Sequence, residues 1–179
     1  MRRQAPTKFE FVINLTTAKT SLVGMLFPGS TEGPFSIDST TPFFEGLHEE
    51  GYDKGRNIAV EYRHADGHFE RLPALPEELV NLHPDVIVSW VTAASIAAKR
   101  ATSTIPIVMG GVADPIGAGL VTSLARPGGN VTGTSGMSVE VGGKPLELLH
   151  DVVPRAARVA VLWNPANAVY QSGMLSATR

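Results

Sequence analysis

The chain has 179 residues, 43% of them hydrophobic and 18% charged, with a formal net charge of -2 and no cysteine. That length allows one good core but is short for two full domains, and the composition is that of an ordinary globular chain. The charge argues against a dedicated nucleic-acid surface, which needs clustered Lys and Arg. The missing cysteine excludes disulfides, thiolate metal sites and a Cys nucleophile.

In chain order, the Met-Arg-Arg start hints at the charged head of a signal peptide. Lys8, Glu10 and Asn14 interrupt the apolar run behind it, so no clear export signal is expected. FEFVINL at 9–15 reads as a strand, as does SLVGMLF at 21–27, which ends on the turn Pro28-Gly29-Ser30. Residues 31–42 are rich in Ser, Thr, Pro and Gly and read as loop. Phe43, Phe44, Leu47 and Tyr52 follow a helical spacing, with Gly51 a candidate cap. NIAVEY at 57–62 alternates like a strand. Leu72, Leu75, Leu79 and Leu82 mark a helix within 69–82 that Pro76 should kink or delay.

DVIVSW at 85–90 is apolar without alternation, as expected of a strand buried on both faces. The Ala-rich stretch 92–102 predicts a helix with Thr92 as candidate N-cap. A buried strand is expected at 105–109, a short helix at 117–124, a tight turn at 126–129 and a short strand at 130–134. Beyond it, 143–153 reads as a helix with Leu146, Leu149 and Val153 on one face, and RVAVLW at 158–163 as a further buried strand. No apolar run approaches the ~18 residues that a membrane-spanning helix requires.

Strands alternating with helices imply an α/β fold with a doubly wound parallel sheet and helices on both faces. Ligands in such sheets lie beyond the carboxyl ends of the strands, where strand order reverses. The residues there are Pro28-Gly29-Ser30, Trp90-Val91-Thr92, residues 110–115 (GGVADP) and Asn164-Pro165. Backbone N–H groups and helix N-termini at such positions suit an anionic group, and Asp114 suits an amine. The competing reading is that small polar loops follow strands in any α/β protein.

Signals of catalysis or cofactor chemistry are weak. Residues 133–136 (GTSG) have the wrong spacing for a nucleophile elbow, and Gly142-Gly143-Lys144 runs into Pro145, which breaks a phosphate loop. No glycine-rich dinucleotide fingerprint follows the first strand, so no cofactor and no catalytic residue is expected. His64, Asp66 and His68 have conceivable metal-ligand spacing, but the segment reads as a polar surface loop and no metal site is expected. Trp90 and Trp163 each end a predicted strand, as core residue or as ligand platform.

Six segments in order give the chain a resemblance to a known family: GLHEEGYDKGRNI (46–58), FERLP (69–73), ATSTIPIV (101–108), DPIGAGL (114–120), LARPGGNVTG (124–133) and RVAVLWNP (158–165). Together they resemble the substrate-binding proteins of ABC transporters. The resemblance implies the type I periplasmic-binding-protein fold, two α/β lobes around a hinge that close on a small ligand, aromatic amino acids in characterised relatives. It implies first-lobe ligand contacts at Ser30, Thr92, Ala93 and Asp114, a hinge at 134–137 and a second-lobe contact at Asn164. It also implies an ABC transporter permease as partner and a periplasmic or extracytoplasmic location. Two departures stand out. The second lobe stops near its first strand, and PTKFEFVINLTTAK at 6–19 resembles the family's C-terminal segment. The resulting division is a tail-like segment at 1–20, a first lobe at 21–135, and a hinge with a truncated second lobe at 136–179. Alternatives are a non-functional gene remnant and an α/β enzyme of unknown reaction.

Overall fold

The computed structural model describes residues 20–30, 40–136, 144–156 and 158–160. Among these residues five strands form one parallel sheet: β1 (Ser21–Phe27), β2 (Ile58–His64), β3 (Val86–Trp90), β4 (Ile107–Val112) and β5 (Val131–Ser135). Their order across the sheet is β2-β1-β3-β4-β5. The doubly wound α/β expectation holds, with the strand order reversing between β1 and β3.

β1 lies mid-sheet and must be apolar on both faces. Val23, Met25 and Phe27 join a layer with Val86 and Val88, covered by Phe43 and Phe44 of α1 (Thr41–Glu49). Leu26 joins the opposite layer with Ile87, Ile107, Met109 and Val131. That layer is covered by Leu79 of α2 (Leu75–Asn81) and by Ala94, Ala97 and Ala98 of α3 (Val91–Ala101). Small residues let these helices approach closely. A Cβ added to Gly24 would come within 3.2 Å of the Leu79 side chain. The start of β1 is tied to β3 by a reciprocal pair: Leu22 N–H donates to the Asp85 carboxylate at 2.7 Å, and Asp85 N–H donates to the Leu22 carbonyl at 2.8 Å.

Several boundaries differ from the sequence-based expectation. α1 begins at Thr41, inside the expected loop, because proline suits the first turn of a helix. It closes as expected on Gly51, whose φ is 86°. Pro76 does delay its helix: a 3₁₀ turn over Phe69–Arg71 precedes α2. β4 starts two residues later than expected, because the Thr102 hydroxyl accepts the N–H groups of Thr104 and Ile105 in a turn. The Asn130 side chain donates to the Thr102 and Ile105 carbonyls and holds that turn against β5.

The expected helix at 117–124 is absent and the segment is a chain of turns. Gly119 takes φ 67°, Gly117 N–H is captured by Asp114, and Lys99 Nζ donates to the Gly119 and Leu120 carbonyls. These bonds compete successfully with a helical ladder.

α4 (Lys144–Val152) forms as expected, and Leu148, Leu149, Val152 and Val153 are all exposed. Leu146 lies outside the residues whose side chains are described. The buried strand expected at 158–163 is not seen in its described part: residues 158–160 are exposed and pair with no strand. Residues 161–163 and the strand expected at 9–15 lie outside the described residues.

Candidate functional site

Because β1, β3 and β4 are parallel neighbours, the segments that leave their carboxyl ends emerge at one edge of the sheet. Ser30 follows β1, Thr92 and Ala93 lie in the first turn of α3, and Asp114 follows β4. Four of the five residues expected at the site therefore share the edge where the strand order reverses, the position that favours a ligand in this architecture. Asn164 lies outside the described residues.

The turn that carries Ser30 is held by its neighbour. The N–H groups of Ala65, Asp66 and Gly67, just past β2, donate to the carbonyls of Phe27 (2.9 Å), Gly29 (3.2 Å) and Pro28 (2.9 Å). Asp66 and Gly67 reach these acceptors through positive φ angles of 55° and 79°.

At the β3–α3 junction the sequence-based reading of Thr92 as an N-cap is corrected. The helix begins one residue earlier, Trp90 stands at the cap position, and no side chain caps it. Thr92 is buried, and its hydroxyl accepts the Ala113 N–H at 3.4 Å, which links the β3 edge to the β4 edge. Beneath it, the buried Ser89 and Ser95 hydroxyls bond at 2.9 Å, and Ser95 donates to the Val91 carbonyl. Ala93 is half-buried.

Val91 itself takes φ 58°. A β-branched residue there is a genuine outlier. Local strain of this kind persists only when the surroundings impose it, and it clusters at functional sites. Val91→Gly should therefore stabilise the fold by about 1 kcal/mol, since glycine removes the Cβ clash. A rise in the urea midpoint checks this, and an unchanged or lower midpoint would show that Val91 is not strained.

Asp114 is half-buried, and Oδ1 accepts the Gly117 N–H at 2.8 Å. A Cβ on Gly117 would fall 2.0 Å from Oδ2, so the turn is built around the carboxylate. Part of the acceptor capacity expected to meet a ligand amine is thus spent on the turn itself.

One group of residues escaped sequence reasoning. Phe27, His64 and Trp90 occupy corresponding last positions of adjacent strands and form a row of stacked rings. The Phe27 centroid lies 5.0 Å from both His64 (11° between planes) and Trp90 (17°). Tyr62 lies beside both Phe27 (6.4 Å) and His64 (6.2 Å), and Phe43 meets Trp90 edge-on at 5.9 Å. Lys54 Nζ sits 4.7 Å from the Tyr62 ring centroid, a cation–π contact. The ring of Trp90 lies over Gly110, where an added Cβ would meet it at 3.6 Å. Trp90, as a strand-end aromatic, and His64, as a conceivable metal ligand, were singled out separately from sequence, and both belong to this row.

His64 is the polar member. Both its ring nitrogens are buried, and among the described residues neither has a hydrogen-bond partner. Burial lowers its pKa, against the opposing pull of the Asp66 charge and the nearby Gly29 carbonyl, which faces the ring without completing a bond. The conceivable metal cluster does not assemble. His64 lies in the ring stack, Asp66 pairs with Arg71 at 2.8 Å, and His68 meets Glu70 at 3.0 Å. Among the described residues no three His, Asp or Glu side chains converge as a metal site, and no helix is long and apolar enough to cross a membrane.

Comparison with known proteins agrees with this architecture. The profile of the family described as ABC transporter substrate binding protein matches residues 31–178. A tyrosine-binding protein of Clostridioides difficile is 37% identical over 123 residues, which are 68% of this chain and 35% of that protein. The crystal structure of a conserved domain protein from Vibrio cholerae superposes with a TM-score of 0.76 at 35% identity, covering 89% of this chain and 53% of the other. A Streptococcus pneumoniae ABC domain in complex with L-Trp superposes with a TM-score of 0.72 at 27% identity, covering 89% and 54%. The chain belongs to the ABC transporter substrate-binding protein family. It spans about half the length of these solved relatives and about a third of the tyrosine-binding protein. The family is one of binding proteins, not enzymes, and the enzyme alternative falls with that finding.

Proposed function

We propose that this chain supplies the first-lobe half of a cleft that binds an amino acid for an ABC importer. The observation that carries the reading is the sheet edge at the reversal of strand order, where Ser30, Thr92, Ala93 and Asp114 follow adjacent strands. The first turn of α3 offers N–H groups to a ligand carboxylate. The free lone pairs of Asp114 face a ligand amine. Trp90 and its stacked neighbours give an aromatic side chain a surface to pack on. The relatives named for tyrosine and complexed with L-Trp support an aromatic amino acid as the ligand.

In this reading residues 21–135 form the first lobe, 134–137 contain the hinge, and Asn164 contributes from the second lobe. Residues 1–20 are an appended tail-like segment. Ligand bridging the lobes shifts the population toward a closed form, which docks on a permease on the extracytoplasmic side of the membrane. Titration calorimetry with L-tyrosine, L-tryptophan and L-phenylalanine, with L-glutamate as control, tests it. Saturable heat with at least one aromatic amino acid is the expected result, and a larger response to glutamate would overturn the ligand class. No response to any of them would overturn binding of an aromatic amino acid by this chain.

A further inference from the structure

We infer that His64 is an acid-sensitive positioning residue: its neutral ring holds the turn bearing Ser30, and protonation releases that turn and weakens ligand retention. The link to the ligand rests on the function proposed above; the link to the turn does not. Three observations carry it. The His64 ring is packed nearly flat against Phe27 and Tyr62, at 5.0 Å and 6.2 Å between centroids. Its two nitrogens are buried and have no partner among the described residues. The residues directly after it, Ala65, Asp66 and Gly67, supply the hydrogen bonds that pin Phe27, Gly29 and Pro28, immediately before Ser30.

A proton on this ring would create a cation with two buried donors and only the Gly29 backbone near enough to accept from one of them. Leaving a buried charge unpaired is costly, so the ring has to swing out of the row to reach water. Moving His64 drags the start of the 65–67 turn, and the three pinning bonds open with it. The charged and titratable groups around the ring offer little compensation. Asp66 favours the cation but is already paired with Arg71. Arg63 is turned to Glu61 and Glu78, His68 meets Glu70, and Tyr62 is in contact with Lys54. From β1 and β3 the ring row presents Phe27 and Trp90, which carry no charge.

The direction follows by linkage. A histidine whose folded-state pKa is depressed binds fewer protons when folded than when released. The order it supports is therefore complete above the ordinary histidine value of about 6.5 and is lost as pH falls below it.

Hydrogen exchange of the Ala65, Asp66 and Gly67 amides in the full chain without ligand, from about pH 5 to about pH 8, tests this directly. After correction for intrinsic exchange, protection should hold above about pH 6.5 and fall below it by up to about tenfold per pH unit. His64→Phe, which keeps a stacking ring and cannot titrate, should keep protection flat. A flat wild-type profile, or a fall that survives in His64→Phe, overturns the inference. Should that variant not fold, the wild-type His64 resonance is titrated instead: a pKa clearly below the ordinary value supports the inference, and one at or above it sinks it. L-tryptophan affinity at about pH 8 and about pH 5.5 then tests the ligand link. Weaker binding at the lower pH in wild type alone supports it, and equal affinity at both removes it. Absence of binding at the higher pH counts against the proposed ligand, while the exchange result still decides the role of His64 in the turn.

Discussion

Replacing Gly133 with alanine should cost on the order of 3 to 5 kcal/mol, a large part of a domain's usual stability. Gly133 pairs with Met109 across β4 and β5 and has φ 139°. A Cβ there would lie 2.0 Å from the Met109 carbonyl oxygen and 2.7 Å from its nitrogen. Both are backbone atoms held in the ladder, so no side chain can rotate away to make room. β5 would have to separate from β4, losing pairing on both sides of the contact, in addition to the strain of the backbone angle itself. Gly129 is the fitting control: an added Cβ meets nothing within 4 Å. Gly129→Ala should stay within about 0.5 kcal/mol of wild type. Urea unfolding of both variants decides the matter. A Gly133→Ala midpoint near that of the control would mean that the strands can spread at little cost.

A comparable loss is expected from Phe27→Ala, about 3 to 5 kcal/mol. Phe27 is fully buried and stands between His64 and Trp90. Truncation removes the centre of the ring row and leaves a cavity under the turn that carries Ser30. Phe27→Leu fills most of the space without the stacking and should cost about 1 to 2 kcal/mol. In a Trp163→Phe background, Trp90 reports on the row through its fluorescence, which should shift to longer wavelength in Phe27→Ala as water enters. If the leucine variant proves as stable as wild type, the row contributes through no more than aliphatic bulk.

The contrast between these two positions shows what the sequence made visible. Strands buried on both faces need continuous apolar runs, so 21–27 and 85–90 were readable from composition within a residue. Four of the positions expected at the site came from that reading together with the family resemblance, and the fold brings them to one edge. Residues 27, 64 and 90 carry no mutual signal in sequence. They become neighbours only once β2 and β3 are placed on either side of β1 in the observed register, Phe27 opposite His64. Thr92 was misplaced because the start of α3 depends on the unusual backbone angle of Val91, which no propensity scale anticipates. The helix expected at 117–124 failed for a similar reason. Its apolar spacing was real, but Lys99, 20 positions from Gly119, and Asp114 claim the backbone groups that a helix would use.

The arrangement around β1 also governs how the molecule can assemble in time. Among the described residues β1 is the first strand of the sheet, yet both its neighbours come later and no hairpin holds it meanwhile. Its bond to Asp85 joins residues 63 positions apart. On a ribosome, the apolar segment SLVGMLF would leave the exit tunnel well before β3 exists to pair with it. Long-range parallel pairing of this kind is slow, because chain closure must precede the contacts that reward it. The nascent chain therefore carries an apolar strand unpaired until β2 and β3 have emerged, a window in which a holding chaperone has something specific to bind.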